Sequence, residues 1–338
     1  MSVSFSRLGG ALGTVLLAFG ALLLGGCGGS VSRVEPFVPQ AIAAFGDESS
    51  LILPGGRKYG VNYLDTTVTP SALTCSQYPV WTQQVAANFG FAFAECNPTN
   101  LTTTQTYMGA AAGAKAADVA GQIAAFQAAG HAITSKTLML VMAGTNDIVQ
   151  AYADCAAGTI SPDQAVAQVW NAGQQLSNAI NSIADANGRV IFVTVPDPVR
   201  SPRGIGGSFG LCVESVKAVV RPNLQDANSC AGSGLACTFN AALRTHVANN
   251  GYRIALVTGD ERMASMITTP GNYGLIDWVS PVCTGALPGC DTTTLASRTD
   301  GRVATAANYL WVDDLWPGYP FQAQIASLAF TRATGNPF

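Results

Sequence analysis

Histidine is nearly missing from this chain: there are two among 338 residues, His131 and His246. Chemistry that needs a neutral-pH proton acceptor must use one of these or do without imidazole. Charge is scarce as well. Asp, Glu, Lys and Arg make up 11% of the residues, where an average soluble domain carries roughly 25%. The formal net charge is −3, and no basic stripe runs along any segment, which excludes a nucleic-acid partner. Hydrophobic residues reach 48%, too many for long disordered tails. No internal repeat is visible. Beyond the first 27 residues no apolar run reaches the roughly 18 residues of a membrane-spanning helix. No His/Cys cluster has metal-ligand spacing, so neither a metal nor a cofactor is expected.

What is present begins with an address. Residues 1–26 place a lone Arg7 before an uncharged apolar stretch ending in small residues, the pattern of an export signal. Leu24-Gly25-Gly26-Cys27 resembles a bacterial lipobox. That resemblance implies cleavage before Cys27, a diacylglycerol on its sulfur and a lipidated tether over 27–39. Each buried CH₂ of such an anchor contributes about 0.8 kcal/mol. Gly28 follows the cysteine, with no Asp there to suggest inner-membrane retention, so the outer membrane of a bacterial envelope is the favoured destination. Nine cysteines less Cys27 leave eight. An even number in an exported chain suggests disulfides. Cys230/Cys237 and Cys283/Cys290 are spaced C-x6-C in Gly/Pro-rich loops and read as local staples. Cys75/Cys96 offers a third pair. Cys155/Cys212 then remains by elimination, one of many connectivities that eight cysteines allow.

The order of elements reads as α/β. Ala41–Phe45 is a short buried strand, and Leu138–Met142 is a continuous apolar run, as in a parallel strand covered on both faces. Helical spacing runs through Trp81, Val85 and Phe89, and again through Val119, Ile123 and Phe126. Ser161 caps and Pro162 opens a long helix that Asn187-Gly188 ends. Further strands are expected over 190–195 and 254–257, and further helices over 239–247 and about 320–331. The alternation predicts one doubly wound parallel sheet with helices on both faces, over residues 40–338. Sites in such folds lie beyond the carboxyl ends of the strands.

Those ends carry short blocks. Phe45-Gly46-Asp47-Glu48-Ser49-Ser50 follows the first strand, and Ala143-Gly144-Thr145-Asn146-Asp147-Ile148 follows the second. Between them stands Tyr107-Met108-Gly109-Ala110-Ala111-Ala112-Gly113-Ala114. Near the end stands Val312-Asp313-Asp314-Leu315-Trp316-Pro317. Together these blocks resemble the SGNH (GDSL-type) ester hydrolase and lipase family, over about residues 40–330. Phe239–Leu243 and Pro270–Leu275 are similar to further family segments in the same order. The resemblance implies a flavodoxin-like α/β/α fold and triad chemistry. In the family the Ser of Gly-Asp-Ser attacks, a Gly of the second block and the Asn of Gly-x-Asn-Asp donate to the oxyanion, and Asp-x-x-His supplies the acid and the base.

This chain departs from that pattern where the chemistry is made. Glu48 stands at the nucleophile position, and Trp316, three residues after the triad acid Asp313, stands at the base position. The second-block glycine falls on Ala110 or Ala111, with Gly109 as the neighbouring substitute. Asn146 and Gly109 are then the oxyanion-like donors, and Asp47, Gly144 and Asp147 line the cleft. His246 lies in the helix over 239–247, and His131 enters the loop before the second strand, so neither replaces the base. Gly206-Gly207-Ser208-Phe209-Gly210 matches G-x-S-x-G, but no strand directly precedes it, so it reads as a flexible loop. The leading reading is an exported, lipid-anchored, catalytically degenerate member that keeps a cleft for a glycan, an acyl ester or a partner. One alternative is an ester hydrolase using Ser49 or Ser50. The other is a glycan hydrolase in which Glu48 and Asp313 form a carboxylate pair with one pKa raised by mutual repulsion.

Overall fold

The computed structural model describes residues 36–219, 230, 232–335 and 338. The export signal, Cys27 and the tether up to residue 35 lie outside the described residues. The strands are β1 (Ala41–Gly46), β2 (Leu64–Asp65), β3 (Ala72–Leu73), β4 (Thr106–Met108), β5 (Thr137–Met142), β6 (Arg189–Val193), β7 (Ile254–Val257), β8 (Asp277–Pro281) and β9 (Tyr309–Trp311). Five of them form one parallel sheet in the order β4-β1-β5-β6-β7. β2 and β3 form a small antiparallel pair, and β8 and β9 a small parallel one.

The main sheet has the 2-1-3-4-5 order of a doubly wound fold, in which connections change direction between the first strand and the third. Here that switch lies between β1 and β5, paired in register from Ala41 with Thr137 to Gly46 with Met142. Loops leaving the carboxyl ends of these two strands therefore diverge and leave a crevice.

The helices are α1 (Trp81–Asn88), α2 (Asp118–Ala128), α3 (Thr145–Ala156), α4 (Pro162–Asp185), α5 (Pro202–Ile205), α6 (Cys212–Lys217), α7 (Leu235–His246), α8 (Gly259–Thr268) and α9 (Tyr319–Thr334). Successive strand residues point to opposite faces, so two cores form. Ala43, Phe45, Met139, Val141 and Phe192 pack with Ile123 of α2, Ile148 of α3, Leu176 and Ile180 of α4 and Phe239 of α7. Ile42, Ala44, Leu138, Leu140 and Val193 pack with Trp81 and Val85 of α1, Met263 of α8, and Phe321 and Ile325 of α9. Both sheet faces are covered, as the continuous apolar runs require.

Local signals explain several boundaries. Ser161 Oγ accepts from the Gln164 N–H, and Gln164 Oε1 accepts from the Ser161 N–H, a capping box that starts α4. The strand expected over 190–195 ends at Val193. The next residues still bond sideways: Thr194 N–H donates to the Val257 carbonyl and Val195 N–H to Asn240 Oδ1. Beyond the expected elements the structure adds β2, β3, β4, β8 and β9 and the helices α3, α5, α6 and α8. β4 is only three residues long, too short to carry a pattern. α3 lies inside a block read as a motif, and α8 follows β7 directly. All four expected disulfides form: Cys75–Cys96, Cys155–Cys212, Cys230–Cys237 and Cys283–Cys290. No described helix is long and apolar enough to cross a membrane.

Candidate functional site

Sharp turns bring the predicted residues together at the carboxyl ends of β1 and β5. Gly46 adopts φ +121°, and a Cβ there would sit 1.8 Å from the Met142 carbonyl oxygen, so only glycine fits. The Gln122 side chain clamps the turn, with Oε1 accepting from Gly46 N–H at 2.7 Å and Nε2 donating to the Gly46 carbonyl at 3.0 Å. Gly144 adopts φ +127° over the ring of Phe239 and starts α3. The two turns present Asp47–Ser50 and Thr145–Asp147 to each other.

Asp47 is fully buried. Its Oδ1 accepts from the Ser49 N–H at 3.0 Å, while Oδ2 has no partner. Burial, and next the charge of Glu48, push its pKa up to about 8. Asp47 is therefore protonated at neutral pH, and one of the expected negative charges is absent. Asp147 is half-buried; its Oδ2 accepts from Ala116 N–H at 2.9 Å, and burial raises its pKa.

Glu48 turns its carboxylate into the middle of the cluster and is 7% exposed. Oε1 accepts from the Gly113 N–H at 2.7 Å, and Oε2 accepts from Asn146 Nδ2 at 2.9 Å. The same Asn146 nitrogen donates to the Ala114 carbonyl at 3.0 Å. One carboxylate thus joins three chain segments: the end of β1, the loop after β4 and the start of α3. Hydrogen bonds to an ionised acceptor are among the stronger ones in proteins.

Gly109, expected as a donor here, is placed differently. Its N–H donates to the Ala44 carbonyl at 2.8 Å and continues the sheet pairing, and its Cα packs against the Phe45 ring. The chain runs four residues further before a glycine N–H, that of Gly113, reaches Glu48. The sequence placed the second-block position on Ala110, Ala111 or Gly109, and Gly113 was not among them.

The two serines differ. Ser50 is buried, with Oγ accepting from Trp81 Nε1 at 3.1 Å and its carbonyl accepting from Thr82 Oγ1. Ser49 Oγ is buried without a partner. It faces a hollow of about 10 Å³ walled by Met142, Thr145, Trp311, Leu315 and Pro317. That is about the space of one water. Asp47 and Glu48, expected to face the cleft, are both buried.

The last block is folded on itself. Asp313 Oδ1 accepts from Leu315 N–H at 2.9 Å and Trp316 N–H at 2.6 Å, and burial raises its pKa. The Trp316 carbonyl in turn accepts from Val312 N–H. Trp316 is buried, at 7% exposure. Asp314 holds Arg203 through two bonds, Nε to Oδ2 at 3.0 Å and Nη2 to Oδ1 at 2.9 Å. Glu48 and Asp313 therefore hold separate sets of donors, and no bond links them. Neither histidine reaches the site. His131 stacks on Phe126 after α2, and His246 ends α7 beside Gln174. Gly206–Gly210 lies in turns after α5, with no strand leading into it.

The sequence matches the family model for GDSL-like lipase/acylhydrolase over residues 42–259. The fold is similar to the crystal structure of a member of the lipolytic protein G-D-S-L family from Veillonella parvula. The identity is 14% and the TM-score 0.37, and the match covers 86% of this chain and 95% of that one. No curated protein matches the chain.

Proposed function

The chain belongs to the GDSL-like lipase/acylhydrolase family, and from that premise we propose that it is a lipid-anchored envelope protein that no longer hydrolyses esters and acts by binding. The observation that carries this reading is the Glu48 carboxylate on Gly113 N–H and the Asn146 amide. Acyl-transfer sites derive much of their rate from preorganised donors aimed at the oxygen that becomes negative. Here two such donors are already taken by the Glu48 side chain. An ester oxygen would have to displace a charge-assisted pair, then develop its own charge beside Glu48.

The base corner supports the same reading. An indole offers an N–H donor and no basic nitrogen, so Trp316 cannot accept a proton from a nucleophile. The hollow at Ser49 is too small for an ester group. Export and anchoring rest on residues 1–27, with Cys27 as the lipidated residue and the outer membrane as the destination. Of the two expected ligands, a glycan or an acyl ester, the small hollow at Ser49 favours the glycan, held without turnover.

The test uses p-nitrophenyl acetate and butyrate against a heat-denatured control, with a fluorophosphonate probe read by mass spectrometry. The expected result is turnover equal to the control and no labelled serine. Turnover with label on Ser49 or Ser50 would overturn the reading. For the anchor, Cys27→Ser should move the protein from the detergent-extracted membrane fraction to the soluble one. Unchanged membrane retention would sink the lipid assignment.

A further inference from the structure

A hollow of about 220 Å³ opens at the other end of the sheet. It is lined by the first residues of β1, by Thr103–Tyr107 leading into the edge strand β4, and by Phe126 and His131. Because Ala41 begins β1 and Thr106 begins β4, this is the amino end of the strands, opposite Glu48.

Its walls are of two kinds. Three rings meet on one side: His131 stacks on Phe126 with centroids 4.9 Å apart and planes at 17°, and Tyr107 stands edge-on to each at 5.2 Å. The remaining wall is neutral and polar. Thr103, Thr104 and Gln105 line it, and among the described residues their side chains form no hydrogen bond. Thr106 Oγ1 donates to the Ala92 carbonyl and keeps its lone pairs. Gln105 takes φ +50°, a conformation seldom adopted outside glycine. Its carbonyl accepts from Ile42 N–H at 3.1 Å, so the sheet edge fixes the turn.

The lining selects a ligand class. No Asp, Glu, Lys or Arg contributes to it, so no ion is matched. The ring faces of Phe126 and His131 are turned on each other, which leaves no aromatic cage to wrap a quaternary ammonium. A ligand with an apolar C–H face and a hydroxyl edge satisfies both walls: the exposed His131 ring, backed by Phe126, and the half-buried Tyr107 ring take the face, and hydroxyl and amide groups take the edge. Pockets of this kind fix orientation through a few polar groups on a largely apolar lining. We propose that this hollow binds one neutral hexopyranose unit of a glycan. The assignment does not depend on whether the strand-end site hydrolyses esters.

Saturation-transfer NMR on the full chain in detergent micelles tests it. Glucose, galactose and N-acetylglucosamine serve as separate probes, with tetramethylammonium as the cationic alternative. The expected result is transfer to ring protons of at least one sugar, with affinity falling about tenfold in His131→Ala and a few-fold in Thr104→Ala. Both side chains reach the surface, so these variants keep the fold intact; Tyr107→Phe, which retains the ring, checks the polar edge separately. No transfer from any of the three sugars would overturn the proposal. So would equal transfer in the parent and His131→Ala chains, or stronger transfer to tetramethylammonium than to the sugars.

Discussion

At the carboxyl end of the sheet Glu48 commits both oxygens to Gly113 and Asn146, and Asp313 commits Oδ1 to its own turn. At the amino end Thr103, Thr104 and Gln105 line a hollow with their side-chain groups uncommitted. The difference follows from water. A buried donor left without an acceptor costs about 1–3 kcal/mol, whereas an exposed one stays solvated. The Glu48 carboxylate therefore serves as a joint between segments, whereas the uncommitted polar groups of the amino end sit where solvent reaches them.

The contrast can be broken most severely at Gly46. Gly46→Ala would drive a methyl into the Met142 carbonyl, and a loss of roughly 3–5 kcal/mol is expected. A urea midpoint close to the parent's would show that the turn has room. Next comes Glu48→Ala, which leaves the Gly113 N–H and the Asn146 amide without their acceptor. The expected loss is about 1–2 kcal/mol, because the exposed Gly113 N–H can turn to water and Asn146 keeps the Ala114 carbonyl, read by thermal or urea melting. A neutral effect would mean that the carboxylate does not join the three segments.

Asp47 sharpens the comparison through pH. Its folded pKa is near 8 against 3.8 for an ordinary aspartate, so the folded chain binds that proton more tightly. Its contribution to stability is complete below about pH 4 and is lost as the pH rises through about 8. The slope in that window is at most about 1.4 kcal/mol per pH unit. Asp47→Asn keeps an acceptor for the Ser49 N–H and should remove the slope. Parallel pH–stability curves for the two chains would show that Asp47 is ionised. The smallest effect belongs to the amino end, where Thr104→Ala should change stability by no more than about 0.5 kcal/mol. A larger drop would reveal an internal partner and erase the contrast between the two ends.

Much of this architecture was legible in the sequence because it depends on local pattern. The apolar run Leu138–Met142 reads as a strand covered on both faces, and Ser161-Pro162 announces α4. The switch point then places the Asp47 and Asn146 blocks side by side. What was not legible needed distances. The repeat Ile148, Ala151, Tyr152 would have revealed α3, but the block was read as a motif. That Gly113, and not Gly109, donates to Glu48 depends on how far the loop after β4 travels. The amino-end hollow combines residues from 103–107, 126 and 131, which no spacing rule connects.

The Glu48 carboxylate also sets what restoring a hydroxyl at that position would take. Glu48→Ser alone would remove one acceptor of the half-buried Asn146 amide and turn the exposed Gly113 N–H to water, while Trp316 offers no proton acceptor. Trp316→His alone would leave Glu48 on both donors. Under the proposed reading neither single substitution produces hydrolysis, so the two positions have to be exchanged together.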